Sequence, residues 1–388
     1  MKRPWTQLPI CLTMTNHELF YFTGKCLTPD EHPGFRKEII ELIASDSMDW
    51  QQFVSLCNNH LILPVIYLKF KSHELLSYLP EELSEHLKEI YELNVSRNNQ
   101  ILNQLQEITR VLNQNNIYPI FLKGSGNLLD RLYSDIGERI LGDIDLLVPE
   151  KDYLVSAKLM EAEGYAKTSA TPDYMDIQNM KHYPRLSHPD FPADLEIHRL
   201  PVPENYKSWF NPGIIDQEKR TVEALKGCFV LSDKHKIILN FIHSQLSNKG
   251  HANGIVSFRD LYDLYLLSGR MAVKDTVPHI RYKRKAIAYY VFAGKALGLH
   301  GRFYPKSNLS AWVFAKKHEL NMSSDTFYNA NRSIHFMSHQ IFIMYIGQIM
   351  QSFYSRKMRK SLIGRLSNRN WYKTHLNYYK GFFRRNRS

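Results

Sequence analysis

Apolar positions along this chain keep one period, switch to another, and then switch back. In FRKEIIELI (35–43) and DWQQFVSLCNNH (49–60) they recur three and four residues apart, with Asp49 placed to cap the second segment, so both are read as helices. Leu79-Pro80 marks a break. From Glu82 to Gln114 the residues Leu87, Ile90 and Leu93, then Ile101, Leu105, Ile108 and Leu112, keep to one stripe, which predicts one long helix or a pair of them. Asn113–Asn116 reads as a turn and IYPIFL (117–122) as a short β-type run.

Past Lys123-Gly124 the period shortens. Asn127–Tyr133 predicts a helix starting behind a Gly-Ser turn, Ser134–Gly142 a loop, and Asp143–Val148 a strand. Lys151–Glu163 predicts an amphipathic helix stopped by Gly164. Residues 165–192 read as loop and short strands. ADLEIHRL (193–200) alternates again, with Leu195 and Ile197 on one face and Asp194, Glu196 and His198 on the other. After Leu231 helical spacing returns, with Ser232 as N-cap of DKHKIILNFIHSQL, then SFRDLYDLYLL, RKAIAYYVFAGKALGL and the most apolar stretch, residues 334–353. Strand, turn, helix, acid-bearing strand, helix and second acid-bearing strand make an α+β chain: a small mixed sheet with helices packed on it. The expected division is an N-terminal helical region (1–115), a core (116–225), a C-terminal helical domain (226–355) and a basic, aromatic tail (356–388), without internal repeats.

Composition narrows the class. At 388 residues, 44 % hydrophobic and 23 % charged, the chain can bury a large core and reads as a soluble globular protein. Four scattered cysteines (Cys11, Cys26, Cys57, Cys228), with no CxxC pair, argue against zinc and a disulfide framework and for a reducing compartment. The N-terminus has no sustained apolar region or cleavage site, and no run reaches the roughly 20 apolar residues of a membrane span, so a cytoplasmic protein with no transmembrane segment is expected.

The net charge of +12 is concentrated at one end: eleven Lys/Arg and no acid lie between Arg356 and Ser388, and the rest of the chain is nearly neutral. Trp371, Tyr372, Tyr378, Tyr379, Phe382 and Phe383 are interleaved with Lys373, Lys380, Arg384 and Arg385. This pattern suits a terminal helix with solvated cations, contact with RNA, or contact with an anionic membrane beside the apolar 334–353 stretch.

The candidate chemistry lies in FLKGSGNLLDRLYSDIGERILGDIDLLV (121–148). Asp143 and Asp145 project from one face of a strand, and two carboxylates there are costly unless a divalent cation sits between them. Lys123-Gly124-Ser125 offers backbone N–H groups to a phosphate. Glu196 supplies a third carboxylate from a second strand, enough to hold two Mg²⁺ ions that activate a hydroxyl and neutralise a triphosphate. Asp194 shares the face of Glu196 and is the other candidate for third ligand. Lys123 and Arg139 are read either as phosphate contacts or as partners in ion pairs. His198 is read as a supporting or core histidine, His235 and His243 as structural, and Arg259 and Asp263 as a helix ion pair.

These residues also carry a family likeness. Leu122-Lys123-Gly124, Leu132-Tyr133, Arg139, Asp143-Ile144-Asp145, Gly164-Tyr165, His182-Tyr183-Pro184 and Glu196-Ile197-His198 follow in an order that resembles a branch of uncharacterised bacterial nucleotidyltransferases in the DNA polymerase β-like superfamily. The likeness covers most of residues 40 to 270, including the Trp50 region and the Arg259…Asp263 helix. The superfamily usually spaces the Gly-Ser turn and the first aspartate more closely; the longer Ser134–Gly142 connection is shared by the branch.

The resemblance implies a polymerase β-like mixed-sheet core flanked by helical regions. It implies transfer of a nucleoside monophosphate from an NTP, with release of pyrophosphate, by two Mg²⁺ ions (Mn²⁺ as a substitute). Asp143, Asp145 and Glu196 would be the catalytic metal ligands, and Lys123, Gly124, Ser125 and Arg139 the nucleotide-binding residues. A small molecule is the favoured acceptor, with a protein side chain or an RNA end second. The contrasting expectation is a non-catalytic protein of this fold that binds RNA through its 356–388 tail.

Overall fold

The computed structural model describes residues 14–44, 48–169, 176–338 and 346–368, together with 370–374, 376–377 and 380. Cys11 and the N-terminal segment, the middle of the 334–353 stretch, and Tyr378, Tyr379, Phe382, Phe383, Arg384 and Arg385 lie outside these residues.

Among the described residues the chain is 63 % helical and carries a seven-stranded mixed sheet, the α+β architecture expected from the alternation of periods. Its strands are β1 (Ile120–Phe121), β2 (Asp143–Leu147), β3 (Ala166–Lys167), β4 (Leu186–Ser187), β5 (Asp194–His198), β6 (Arg220–Thr221) and β7 (Phe229–Val230), in the order β3-β4-β5-β2-β1-β7-β6. At its centre β2 runs parallel to β5 and antiparallel to β1. The sheet and the helices up to Lys316, without Asp176, form one compact unit; a second takes in Asp176 and the residues from Lys317, and includes the helices Asp325–Ser338, Gln348–Tyr354 and Arg356–Leu366.

Residues 81–114 form a single helix, α1 (Glu81–Gln114), of 34 residues, with Pro80 before its first turn and Glu81 and Glu82 in it. Carboxylates there face the positive end of the helix dipole. Its apolar stripe buries Leu83, Leu87, Ile101, Leu105, Ile108 and Leu112. Leu93, placed on that stripe by its spacing, is exposed, and Asn94 and Asn98 are buried in this stretch instead. The reason is the surface they meet. Asn94 Nδ2 donates to Gly137 O (2.7 Å), and Asn98 Nδ2 to Ile136 O (2.6 Å) and Arg139 O (2.8 Å), so this turn packs on the backbone of the 134–142 loop. Buried carbonyls need donors, and an apolar side chain has none.

The next helix, α2 (Lys123–Leu129), starts at Lys123 rather than at Asn127, so Gly124 and Ser125 belong to its first turn. Lys123 adopts φ +49°, which bends the chain sharply out of β1. Gly126 is required there: a Cβ would stand 2.4 Å from Phe121 O. Beyond β2 come α3 (Tyr153–Ala162), stopped by Gly164 at φ +96°, then α4 (Asp233–Phe241) and α5 (Phe258–Ser268). The Ser232 hydroxyl accepts from His235 N at the start of α4, as its position before the apolar run predicts.

Among the described residues no single helix is long and apolar enough to cross a membrane. The pair Trp50–Asn59 and Leu63–Ser72, bent by 119°, passes only when taken together, and its Phe53, Cys57, Ile66 and Phe70 are buried in the first unit.

Candidate active site

The register of the two central strands builds the site. Asp143 stands opposite Asp194, Asp145 opposite Glu196, and Leu147 opposite His198. Because residues two apart share a face, all four carboxylates and His198 line one side of the β2–β5 pair. Burial deepens along it: the side chains of Asp143 and Asp194 are 34 % and 36 % exposed, whereas those of Asp145 and His198 are 2 % and 0 %. At the deep end His198 Nε2 lies 2.8 Å from Asp145 Oδ1 and 3.5 Å from Glu196 Oε2. Asp145, Glu196 and His198 bring one ligand atom each within 4.8 Å of one another.

Neighbouring charges set the state of these groups. Lys123 Nζ is 2.6 Å from Asp145 Oδ1. Burial works against the charge of both, but their mutual attraction outweighs it: Lys123 titrates above the ordinary lysine range and Asp145 well below the ordinary carboxylate range, with His198 helping to hold Asp145 down. Glu196 is likewise opposed by burial, yet hydrogen bonds from His198 and Arg185 bring it to about 2. Asp143 moves the other way, raised by burial and by the adjacent Asp145 charge.

Residues 46–304 match the model of a family described as uncharacterised nucleotidyltransferases, which is more than half of the chain. The chain belongs to this family. No curated protein matches it. Membership supports nucleotidyl transfer in general and an NTP as substrate.

Within this nucleotidyltransferase family member, the carboxylates expected from the sequence fall into an inner and an outer group. Asp145 and Glu196 come together as the alternation implied, but the third member of the tight cluster is His198, not Asp143. Asp194 is paired with Asp143 at the exposed end, two residues along from Asp145, so Glu196 rather than Asp194 faces the buried aspartate.

Asp143 is engaged by a residue the sequence reading passed over. Arg185 Nη2 reaches Glu196 Oε1 (2.7 Å) and Asp143 Oδ2 (3.2 Å), and its Nη1 lies 3.6 Å from Asp194 Oδ2. A single arginine next to the His182-Tyr183-Pro184 segment carries no signal by itself. Only the antiparallel pairing of β4 with β5 brings it over the carboxylates.

Beside the carboxylates lies a cleft of about 220 Å³, lined among others by Lys123, Gly124, Arg139, Asp143, His243 and Arg259. Three of the four predicted nucleotide-binding residues reach it. Ser125 does not: it is buried, and its hydroxyl donates to Leu122 O (2.9 Å), closing the first turn of α2. Arg139 lines the cleft with its guanidinium already committed, Nε to Asp263 Oδ1 and Nη2 to Asp263 Oδ2, both at 3.0 Å. The expected ion pair of Arg259 with Asp263 is therefore not formed. Asp263 serves Arg139, because a buried guanidinium must have a carboxylate, and Arg259 has Asp260 at 3.8 Å. The two histidines of DKHKIILNFIHSQL also separate. His235 is buried edge-on to Phe210 near Glu218, while His243 lines the cleft from a π-helical turn, Ile242–Ser247, held neutral by burial and by nearby Lys123 with a pKa of about 3.

The loop carrying Arg139 and Asp143 is held from α1. Besides Asn94 and Asn98, Arg97 donates to Leu141 O and to Pro192 O (2.9 Å), and Gln104 Nε2 to Ala193 O (2.8 Å). Both acid-bearing strands therefore enter the sheet through contacts with one helix. Asn98→Ala should lower stability by about 1–3 kcal/mol, since it leaves two carbonyls without their donor. Urea unfolding followed by circular dichroism reads this change; an unaltered midpoint would contradict it.

Proposed function

We propose that this protein moves a nucleoside monophosphate from an NTP to the hydroxyl or amine of an acceptor, most simply a small molecule, on a polymerase β-like core in the cytoplasm. The observation that carries the reading is the side-by-side placement of Asp145 and Glu196 on parallel strands, next to the first turn of α2. The carboxylates of Asp145 and Glu196 supply the oxygen donors that Mg²⁺ and Mn²⁺ take, and the imidazole of His198 beside them is a donor that suits Mn²⁺ better than Mg²⁺. Asp145, Glu196 and His198 would hold an inner ion, with Asp143 and Glu196 available to a second. Bound there, divalent cations neutralise the triphosphate and acidify the attacking hydroxyl.

The chain's own groups do the positioning. Lys123, poised between Asp145 and the cleft, and the backbone of Gly124 would meet the β- and γ-phosphates. Arg139, paired with Asp263, shapes the wall of the cleft and adds charge to it. The acceptor oxygen or nitrogen attacks the α-phosphorus, the bond to the β-phosphate oxygen breaks, and pyrophosphate leaves as the acceptor's proton is lost to solvent. A thermal-shift screen of the four NTPs with and without Mg²⁺ or Mn²⁺ tests the reading. A metal-dependent rise in melting temperature with at least one NTP is expected; no shift with any of them would reject it.

Arg259 is the cleft cation with the loosest protein partner, and so the best placed to take a phosphate. Arg259→Ala should weaken NTP binding by about 10- to 100-fold, the equivalent of one charge-assisted hydrogen bond, and leave binding of the corresponding NMP nearly unchanged. Calorimetry with both nucleotides separates the two. Equal losses for NTP and NMP would show that Arg259 does not contact the β- and γ-phosphates.

A further inference from the structure

The guanidinium of Arg185 lies among the outer carboxylates, where a second cation would otherwise be drawn. We infer that Arg185 holds the outer cation position of this centre in the free protein, so that one divalent ion loads at Asp145, Glu196 and His198 and a second enters only as Arg185 leaves. The inference rests on the metal-binding part of the proposed function, and not on the identity of the nucleotide or the acceptor.

Glu196 is divided between the two positions. Its Oε2 faces inward to His198 (3.5 Å), and its Oε1 faces outward and accepts from Arg185 Nη2 (2.7 Å) and Nε (3.2 Å). The outer oxygen, Asp143 Oδ2 at 3.2 Å from Nη2 and Asp194 Oδ2 at 3.6 Å from Nη1 make three acidic contacts for one guanidinium. Two carboxylates pointed at a common space repel unless a cation occupies it, and Arg185 supplies one fixed positive charge there. The guanidinium cannot surrender its proton at any ordinary pH, so it leaves by displacement and not by titration.

It is also built to leave. The side chain is 43 % exposed, whereas the backbone is tied down: Thr168 N donates to Arg185 O at 3.0 Å, at the edge of β4. The guanidinium can swing into water without moving the strand. Ion pairs this exposed contribute little, and a divalent cation on the same oxygens brings twice the charge. Asp145 has cationic neighbours of its own, Lys123 (2.6 Å) and His198 (2.8 Å), but both lie on its Oδ1, whereas Arg185 spans Asp143, Asp194 and the outer oxygen of Glu196.

Counting manganese by equilibrium dialysis of the full chain, without nucleotide, tests this directly. The unaltered protein should bind about one Mn²⁺ per chain and Arg185→Gln about two. Adding Asp143→Asn to Arg185→Gln should return the count to about one, which locates the second ion on Asp143. Two ions, or none, on the unaltered protein would overturn the inference, as would a count that does not rise in Arg185→Gln. If these counts hold while no NTP binds, the nucleotidyl reading fails and the role of Arg185 stands. If an NTP binds and the counts do not change, the reverse holds.

Discussion

Asp145→Asn should lower pyrophosphate release by about a thousandfold or more, the scale of effect expected when charge stabilisation is removed from a phosphoryl-transfer site. Asp145 is the residue on which the site converges: it accepts from Lys123 and from His198, stands opposite Glu196, and is almost wholly buried. Asparagine keeps the shape and one acceptor oxygen but takes away the negative charge that holds a cation. The fold should survive, because Lys123 also lines the cleft and keeps access to water. The measurement is pyrophosphate release from each of the four NTPs, with a small-molecule cell extract supplying the acceptor, beside a circular-dichroism melt. Undiminished release by a folded Asp145→Asn protein would remove the residue from the mechanism.

The second large effect falls on stability. Asp263 accepts from Nε and Nη2 of Arg139 and from Tyr133 Oη (2.9 Å), and all three side chains are buried. Burial disfavours the charge on Arg139, and the Asp263 carboxylate outweighs it. Asp263→Ala strands that guanidinium in the interior, which should cost about 3–5 kcal/mol. Pairing Asp263→Leu with Arg139→Met removes both charges, and should recover much of the loss. Urea unfolding read by tryptophan fluorescence measures both. A single variant that loses less than about 1 kcal/mol would show that water reaches the pair.

Much of the scaffold was legible because local rules govern it. The alternation in Asp143–Val148 and Ala193–Leu200 gave strands with their acids on one face, and Asp49 and Ser232 cap helices where their positions implied. The errors have a common origin in long-range contacts. The stripe that placed Leu93 inside ignored that α1 meets a loop backbone there, and the i, i+4 rule that paired Arg259 with Asp263 ignored a buried Arg139 some 120 residues away. Arg185 and His198 were underweighted for the same reason. Neither shows its partner until strand order and register are set.

The amino-acid sequence alone determined which residues could carry the chemistry: Asp143, Asp145 and Glu196 on alternating strands, with Lys123-Gly124 beside them. It did so because side-chain direction along a strand is a local property of the backbone. The tertiary structure decided which of them meet. Parallel pairing of β2 and β5 set Asp145 against Glu196, brought His198 into the cluster and left Asp143 and Asp194 at the open end, and antiparallel pairing of β4 with β5 put Arg185 over them. Register depends on how both strands bury their apolar faces against the rest of the fold, and a one-residue slip would turn every acid to the opposite side. The face belongs to the sequence; the partners on it belong to the packing.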